Sequence, residues 1–186
     1  MASRRSLPKD YDRFQTRRIL FVGNHRSNLD TFLLISFIPG LRGLAKSSLF
    51  QNIFFAPYMW LCGFIPVDKG SLNSLAQGLK LLKSKLLLKD RAVLAFPETT
   101  RCKKDFKGVG KFGASFFSLA IESEATIVPF VFKGTDQLMG KGDFFINPFQ
   151  PVTLTLLEPI KAADFQNPRE LRDLVWSQIH EAYNDL

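Results

Sequence analysis

Of the two histidines in the sequence, His25 is the one placed for chemistry. It follows the apolar run Ile19-Leu20-Phe21-Val22-Gly23 and stands just before Ser27-Asn28-Leu29-Asp30, where loops of layered proteins present reactive groups. A carboxylate on one imidazole nitrogen fixes the tautomer and leaves the other nitrogen free as a general base. Asp30 is the carboxylate in range. Five helical steps of about 100° would put the two side chains on different faces, so they meet only if the chain turns between them. Ser27 with Asp30 three residues later, ahead of an apolar run, matches a capping box and supplies such a turn. Asp30 therefore has two readings, orienting carboxylate and helix cap, and the pair alone is a short motif that chance also produces. His180 lies among Gln178, Glu181 and Asn184 in a terminal amphipathic segment and reads as a solvated surface residue.

A second group stands much later, at Phe96-Pro97-Glu98-Thr99-Thr100-Arg101, again after an apolar run. Arg offers a planar fork of donors suited to a phosphate, and a loop at a strand end is a fitting place for one. Cys62 and Cys102 lack metal-ligand spacing and form no disulfide framework, which fits a reducing compartment. Cys102 reads as a passive small residue.

These groups need elements to hold them. Strands are expected at 19–23, 63–67, 92–96, 126–132 and 152–157. Helices are expected from Ser27 to about Phe37, from Ser71 onward with Leu72, Leu75, Leu79, Leu82 and Leu86 at helical spacing, over 112–121, and after Asn167-Pro168. Residues 49–61, interrupted by Pro57, are apolar on nearly every side and fit either core or a lipid-facing surface. Phe144-Phe145-Ile146 with Pro148-Phe149 is a second candidate wedge. Strands alternating with helices predict one α/β layered domain across 1–186, with a central mixed, largely parallel sheet flanked by helices. A basic segment over about 1–18 precedes a motif-bearing core over about 19–133.

The chain has 186 residues, a formal charge of +8 and 19 Phe, more aromatic rings than its interior needs. The charge favours an anionic partner: nucleic acid, phospholipid headgroups or a phosphorylated substrate. No nucleic-acid motif accompanies it, so nucleic acid is not expected. No stretch approaches the roughly 18 apolar residues of a membrane span, and the N-terminus lacks the apolar core of a secretory signal.

Asn24-His25-Arg26-Ser27-Asn28-Leu29-Asp30 followed by Phe96-Pro97-Glu98-Thr99-Thr100-Arg101 resembles the glycerolipid acyltransferase family, typified by 1-acylglycerol-3-phosphate acyltransferases. Two further blocks match in order: Gly63-Phe64-Ile65-Pro66-Val67-Asp68-Lys69 between them, and Ile127-Val128-Pro129-Phe130 after them. The resemblance implies a glycerol-3-phosphate acyltransferase-like fold, with His25 as base and Asp30 as its orienting partner. It implies that Lys69, Glu98, Thr99, Thr100 and Arg101 shape the acceptor site, with Arg101 on the phosphate. The acceptor would be a lysophospholipid and the donor an acyl thioester, acyl-CoA or acyl carrier protein, with no bound cofactor and no metal. Without a Gly-x-Ser-x-Gly elbow, direct transfer is expected rather than an acyl-enzyme.

The chain departs from the family where Thr99 replaces the usual Gly, Cys102 the usual Ser and Lys69 the usual Arg, which bears on the acceptor more than on the reaction. Arg4, Arg5, Lys9, Arg13, Arg17 and Arg18 would dock an anionic leaflet at about 1 kcal/mol each, giving peripheral association with the cytoplasmic face of a membrane. Lys103, Lys104, Lys107 and Lys111 would add to this or meet the phosphates of coenzyme A or an acidic carrier. The competing expectations are a non-catalytic lipid- or phosphate-binding module, an acyltransferase for another polar lipid, and an esterase that uses water as acceptor.

Overall fold

The computed structural model of the chain describes residues 18–88, 92–102, 106–143 and 145–185. The basic N-terminal residues Arg4, Arg5, Lys9, Arg13 and Arg17 lie outside the described residues, as do Lys103, Lys104 and Phe144. The first apolar run forms β1 (Ile19–Gly23), buried along its whole length. Period-two alternation divides it: Leu20 and Val22 join one core, Ile19 and Phe21 the other. Continuous apolar runs of this kind belong to strands covered on both faces.

The remaining elements are α1 (Leu29–Phe37), β2 (Arg42–Lys46), α2 (Ala56–Leu61), β3 (Ile65–Val67), α3 (Leu72–Leu86), β4 (Ala92–Ala95), α4 (Ser115–Glu122), β5 (Thr126–Lys133), α5 (Thr135–Met139), β6 (Thr153–Leu156), β7 (Ile160–Lys161) and α6 (Pro168–Asp185). The strands form one sheet in the order β3-β2-β4-β1-β5-β6, with β7 also paired to β5. β1, β2, β3, β4 and β5 run parallel; β6 and β7 are antiparallel to β5. This is the mixed, largely parallel sheet the sequence predicts. α3, α4 and α6 supply Leu82, Phe117, Leu171 and Val175 to one core, and α1 supplies Leu34 to the other.

β1 is central, between β4 and β5, so its carboxyl end opens where connections diverge to either side, the usual crevice of such sheets. Gly23 is needed there: a Cβ would come within 2.3 Å of the Phe130 ring. One residue further, the Asn24 amide donates to the Phe132 carbonyl and accepts its N–H, both at 2.8 Å, extending the β1–β5 pairing through a side chain.

Three features depart from expectation. β2 is absent from the sequence pattern because Arg42-Gly43-Leu44-Ala45-Lys46 has no β-branched or aromatic residue; pairing with β3 and β4 makes it a strand. Residues 49–61 are not one helix. A 3-10 turn (Ser47–Phe50) is followed by a loop in which the Asn52 side chain accepts the N–H groups of Phe54 and Phe55, and Pro57 falls in the first turn of α2 rather than interrupting it. This segment packs on α1 through Phe32, which meets Tyr58 and Phe55, but Ile53, Phe54, Trp60 and Leu61 are 63–86% exposed. Finally, Leu72 is exposed although it shares the spacing of Leu82 and Leu86. Among the described residues no helix is long and apolar enough to cross a membrane.

Candidate functional site

The turn between β1 and α1 brings His25 and Asp30 together. His25 Nδ1 lies 2.9 Å from Asp30 Oδ2, and the carboxylate is fully buried. The same oxygen accepts the backbone N–H of Arg26 at 2.7 Å and of Ser27 at 2.8 Å. Half of the expected capping box is therefore present, Asp30 reaching back to Ser27. The other half is altered: Ser27 Oγ accepts from Leu29 N and donates to the Met139 carbonyl instead of closing on the third helical residue. Charge-assisted bonds of this kind fix the carboxylate, and through it the imidazole tautomer. The imidazole stacks on Phe96 at 4.2 Å, keeps 19% side-chain exposure, and has Nε2 unengaged by any described residue.

Glu98 arrives at the end of β4, beside β1. Its Oε1 accepts the His25 N–H at 3.3 Å, and its Oε2 accepts from Cys102 Sγ at 2.9 Å. The His25 carbonyl in turn accepts the Cys102 N–H at 3.1 Å. The backbone of His25 is thus held at both ends by one short loop. Glu98 is buried, and burial raises its pKa above the usual carboxylate range; the hydrogen bond from Cys102, the backbone of His25 and Gly110, and the His25 charge act against that shift. Its carboxylate faces the His25 backbone and Cys102 rather than open solvent. Burial, and then Glu98, push the Cys102 thiol up to about 11. Cys102, read from the sequence as passive, is a hydrogen-bond donor.

The turn from Glu98 to Cys102 is tight. Thr99 N–H donates to the Phe96 carbonyl, and Thr99 sits at φ +58°, a left-handed conformation that a β-branched residue adopts only under strain. Thr99 and Thr100 are exposed beside it. Arg101 is half-buried, its guanidinium unbonded to any other described residue; burial lowers its pKa while the charge of Asp30 acts the other way. Lys69, exposed just past β3, is on the same edge of the sheet but three strands from β1, about 14 Å at the usual strand spacing. His25, Asp30 and Glu98 converge, and Arg101 directly precedes Cys102, whose N–H bonds the His25 carbonyl; Lys69 stands apart from them.

Sequence reasoning missed Arg26. Its side chain is buried, pairs with Asp136 of α5, and donates to the carbonyls of Phe106 and Gly108. Tyr183 of α6 lies under it at 5.5 Å. One cation thus ties α5 and the loop after the second motif to the turn between β1 and α1. Nothing local signals Asp136, 110 residues away. His180 is also not the solvated residue expected: it is half-buried, stacks on Trp176 at 4.6 Å, and its ring lies against Gly108. No group of three or more metal-ligating side chains is present among the described residues.

An imidazole oriented by a buried carboxylate, at the carboxyl edge of a parallel sheet and beside a guanidinium that no other described residue engages, has the chemistry of a general base next to a donor for anions. The profile of the acyltransferase family matches residues 6–133, and the chain belongs to that family. It is 29% identical over 171 residues to the 1-acyl-sn-glycerol-3-phosphate acyltransferase of Limnanthes alba, covering 90% of this chain and 58% of that protein. Against the enzyme of that name from Saccharomyces cerevisiae it is 28% identical over 174 residues, covering 87% and 55%. The chain therefore spans a little over half the length of these curated relatives. The crystal structure of the 1-acyl-sn-glycerophosphate (LPA) acyltransferase PlsC from Thermotoga maritima has the same fold, with a TM-score of 0.77 and 23% identity, covering 91% of this chain and 66% of that one.

Proposed function

We propose that this chain is a single O-acyltransferase domain that moves a fatty acyl group from a thioester donor to the hydroxyl of a lysophospholipid, 1-acylglycerol-3-phosphate foremost. The observation that carries this is the His25–Asp30 contact at 2.9 Å with Nε2 left open. Membership of the acyltransferase family and the activity for which the relatives are named support it.

His25 Nε2 takes the proton from the acceptor hydroxyl, whose oxygen attacks the thioester carbonyl. The tetrahedral oxyanion collapses, the carbon–sulfur bond breaks, and the leaving thiolate recovers the proton from His25. Asp30 holds the imidazole and stabilises its charged form meanwhile. Arg101 receives the acceptor phosphate. Thr99 and Thr100 border the acceptor's approach, and Lys69 adds a positive charge farther along the same edge. The donor is acyl-CoA or an acyl carrier protein, its phosphates or acidic surface met by the basic loop that includes Lys107 and Lys111.

The acceptor is a membrane lipid, so the domain works at the cytoplasmic face of a bilayer. Two uncharged exposed segments support this: Ile53, Phe54, Trp60 and Leu61 on one, and Phe145, Ile146 and Phe149 on the other. The first packs on α1 through Phe32. The second is tied to α5 by the Asn147 N–H to Leu138 carbonyl bond, and α5 lies against α1. Both therefore flank the helix that begins at the catalytic turn.

The test is purified protein with long-chain acyl-CoA, acyl carrier protein thioester and a panel of lyso-lipid acceptors, read by free thiol and product mass spectrometry. Lysophosphatidate-dependent thiol release with a diacyl product is expected. Thiol release without an acylated lipid would show a thioesterase, and no release with any pair would leave a binding module.

A further inference from the structure

We propose that Cys102 is a positioning residue of the site, its thiol proton holding the buried Glu98 carboxylate in the geometry that fixes the His25 peptide. This rests on the acyl-transfer function above and concerns a residue that this function does not use.

The argument is geometric. Glu98 Oε2 lies 2.9 Å from Cys102 Sγ, while Oε1 takes the His25 N–H at 3.3 Å. The Cys102 N–H closes the ring by donating to the His25 carbonyl at 3.1 Å. A carboxyl group with one oxygen on a catalytic backbone and the other on a thiol cannot rotate without breaking both bonds. The fold leaves no room for it to drift: a Cβ on Gly110 would stand 2.9 Å from Oε2 and 3.2 Å from the sulfur. Gly110 is itself fixed, its carbonyl accepting the Trp176 indole N–H at 2.9 Å. Thiol, carboxylate and loop are packed as one unit against α6.

The chemistry suits this duty rather than nucleophilic attack. The thiol stays protonated far above neutral pH, so it is a permanent donor and a poor nucleophile. In its ionised form Glu98 accepts all the donors aimed at it, from His25, Cys102 and Gly110. When protonated it accepts these donors without the help of a charge, and the bonds weaken. Loss of the thiol proton would make Glu98 easier to protonate, because the Cys102 hydrogen bond favours the charged form.

The experiment compares wild type, Cys102→Ser and Cys102→Ala for kcat and acceptor KM across pH, using thiol release from acyl-CoA with lysophosphatidate. A hydrogen bond to a buried charge is worth enough to expect kcat about tenfold lower in Cys102→Ala, with acceptor KM within about twofold. Its acid limb should move to higher pH. Cys102→Ser, which keeps a donor, should restore both. Wild-type kcat and limb in Cys102→Ala, or an equal loss in Cys102→Ser, would overturn the proposal.

A second arm needs no turnover and so separates this inference from the acyl-transfer function. In a Cys62→Ser background, thiolate ultraviolet absorbance should appear at about 11 and move lower when Glu98→Gln is added. A midpoint unchanged by Glu98→Gln would show that the pair does not form and would equally overturn the proposal. If wild type shows no turnover while this coupling is present, the acyl-transfer function fails and the thiol–carboxylate pair stands.

Discussion

Asp30 holds the His25 imidazole and the start of α1 with one and the same oxygen. Oδ2 lies 2.9 Å from His25 Nδ1 and accepts two consecutive backbone N–H groups at 2.7 and 2.8 Å. Cap and catalytic orienter are therefore one role, and the turn that satisfies the helix start aims the base. Folding and the orientation of the imidazole are coupled at this atom.

The Arg26–Asp136 pair should matter for stability as much as for activity. Removing one partner leaves the other charge buried, which costs about 3–5 kcal/mol. Asp136→Ala is expected to lower the unfolding free energy by this amount in denaturant titration. Arg26→Met with Asp136→Leu should recover part of the loss, because no unpaired charge remains. An Asp136→Ala variant as stable as wild type would refute the pairing.

Glu98 makes a pH-dependent contribution with a defined sign. Its pKa is raised in the fold, so the folded state holds this proton more tightly than the unfolded chain. The associated stability is full below the unfolded value of about 4.3 and is lost as pH rises through the higher folded value. Glu98→Gln cannot titrate. Wild-type stability should accordingly fall relative to Glu98→Gln as pH climbs from 4 toward neutrality. Parallel stability–pH curves for the two proteins would show that burial does not perturb this group.

Thr99 at φ +58° is a strained position that glycine would relieve. The left-handed conformation costs a non-glycine residue roughly 1–2 kcal/mol, against the roughly 0.5–1 kcal/mol of backbone entropy that glycine loses on folding. Thr99→Gly should therefore raise stability by up to about 1 kcal/mol in thermal or chemical unfolding. A loss of stability would mean the threonine side chain makes a contact worth more than the strain.

Phe54 and Leu61 are 84% and 86% exposed, and their replacement should leave the fold unchanged. Inserted into a bilayer, such side chains contribute about 1.5–3 kcal/mol each when fully buried. Phe54→Ser and Leu61→Ser should each weaken binding to phosphatidylglycerol vesicles by roughly tenfold, even with partial insertion. Vesicle sedimentation checks this, and unchanged binding in the double variant would remove this segment from the membrane face.

Much of the fold was legible in the sequence because its signals are local. Five strands read as apolar runs, Ser71 caps α3 through the Ser74 N–H, and Asn167 opens α6 by accepting from Arg169 N. β2 was not legible, since its residues gain strand geometry only from the neighbours they pair with. His25, Asp30 and Arg101 were visible as residue types suited to a base, its partner and a phosphate. The contacts of Arg26, Glu98 and Cys102 were not: Arg26 depends on Asp136, and Glu98 and the Cys102 N–H on the His25 backbone, all far away in sequence. A motif announces that a carboxylate is required, but only packing shows that it faces a backbone.

The most direct measurement for the central claim is acyl-CoA-dependent acylation of lysophosphatidate by wild type and His25→Ala, with thermal unfolding followed in parallel. A positioned general base contributes roughly a hundred- to ten-thousand-fold, so turnover in His25→Ala should fall by that factor. The melting transition should stay close to wild type, because the His25 side chain is partly exposed and its backbone bonds to Glu98 and Cys102 persist. Turnover in a folded His25→Ala protein equal to that of wild type would contradict the account.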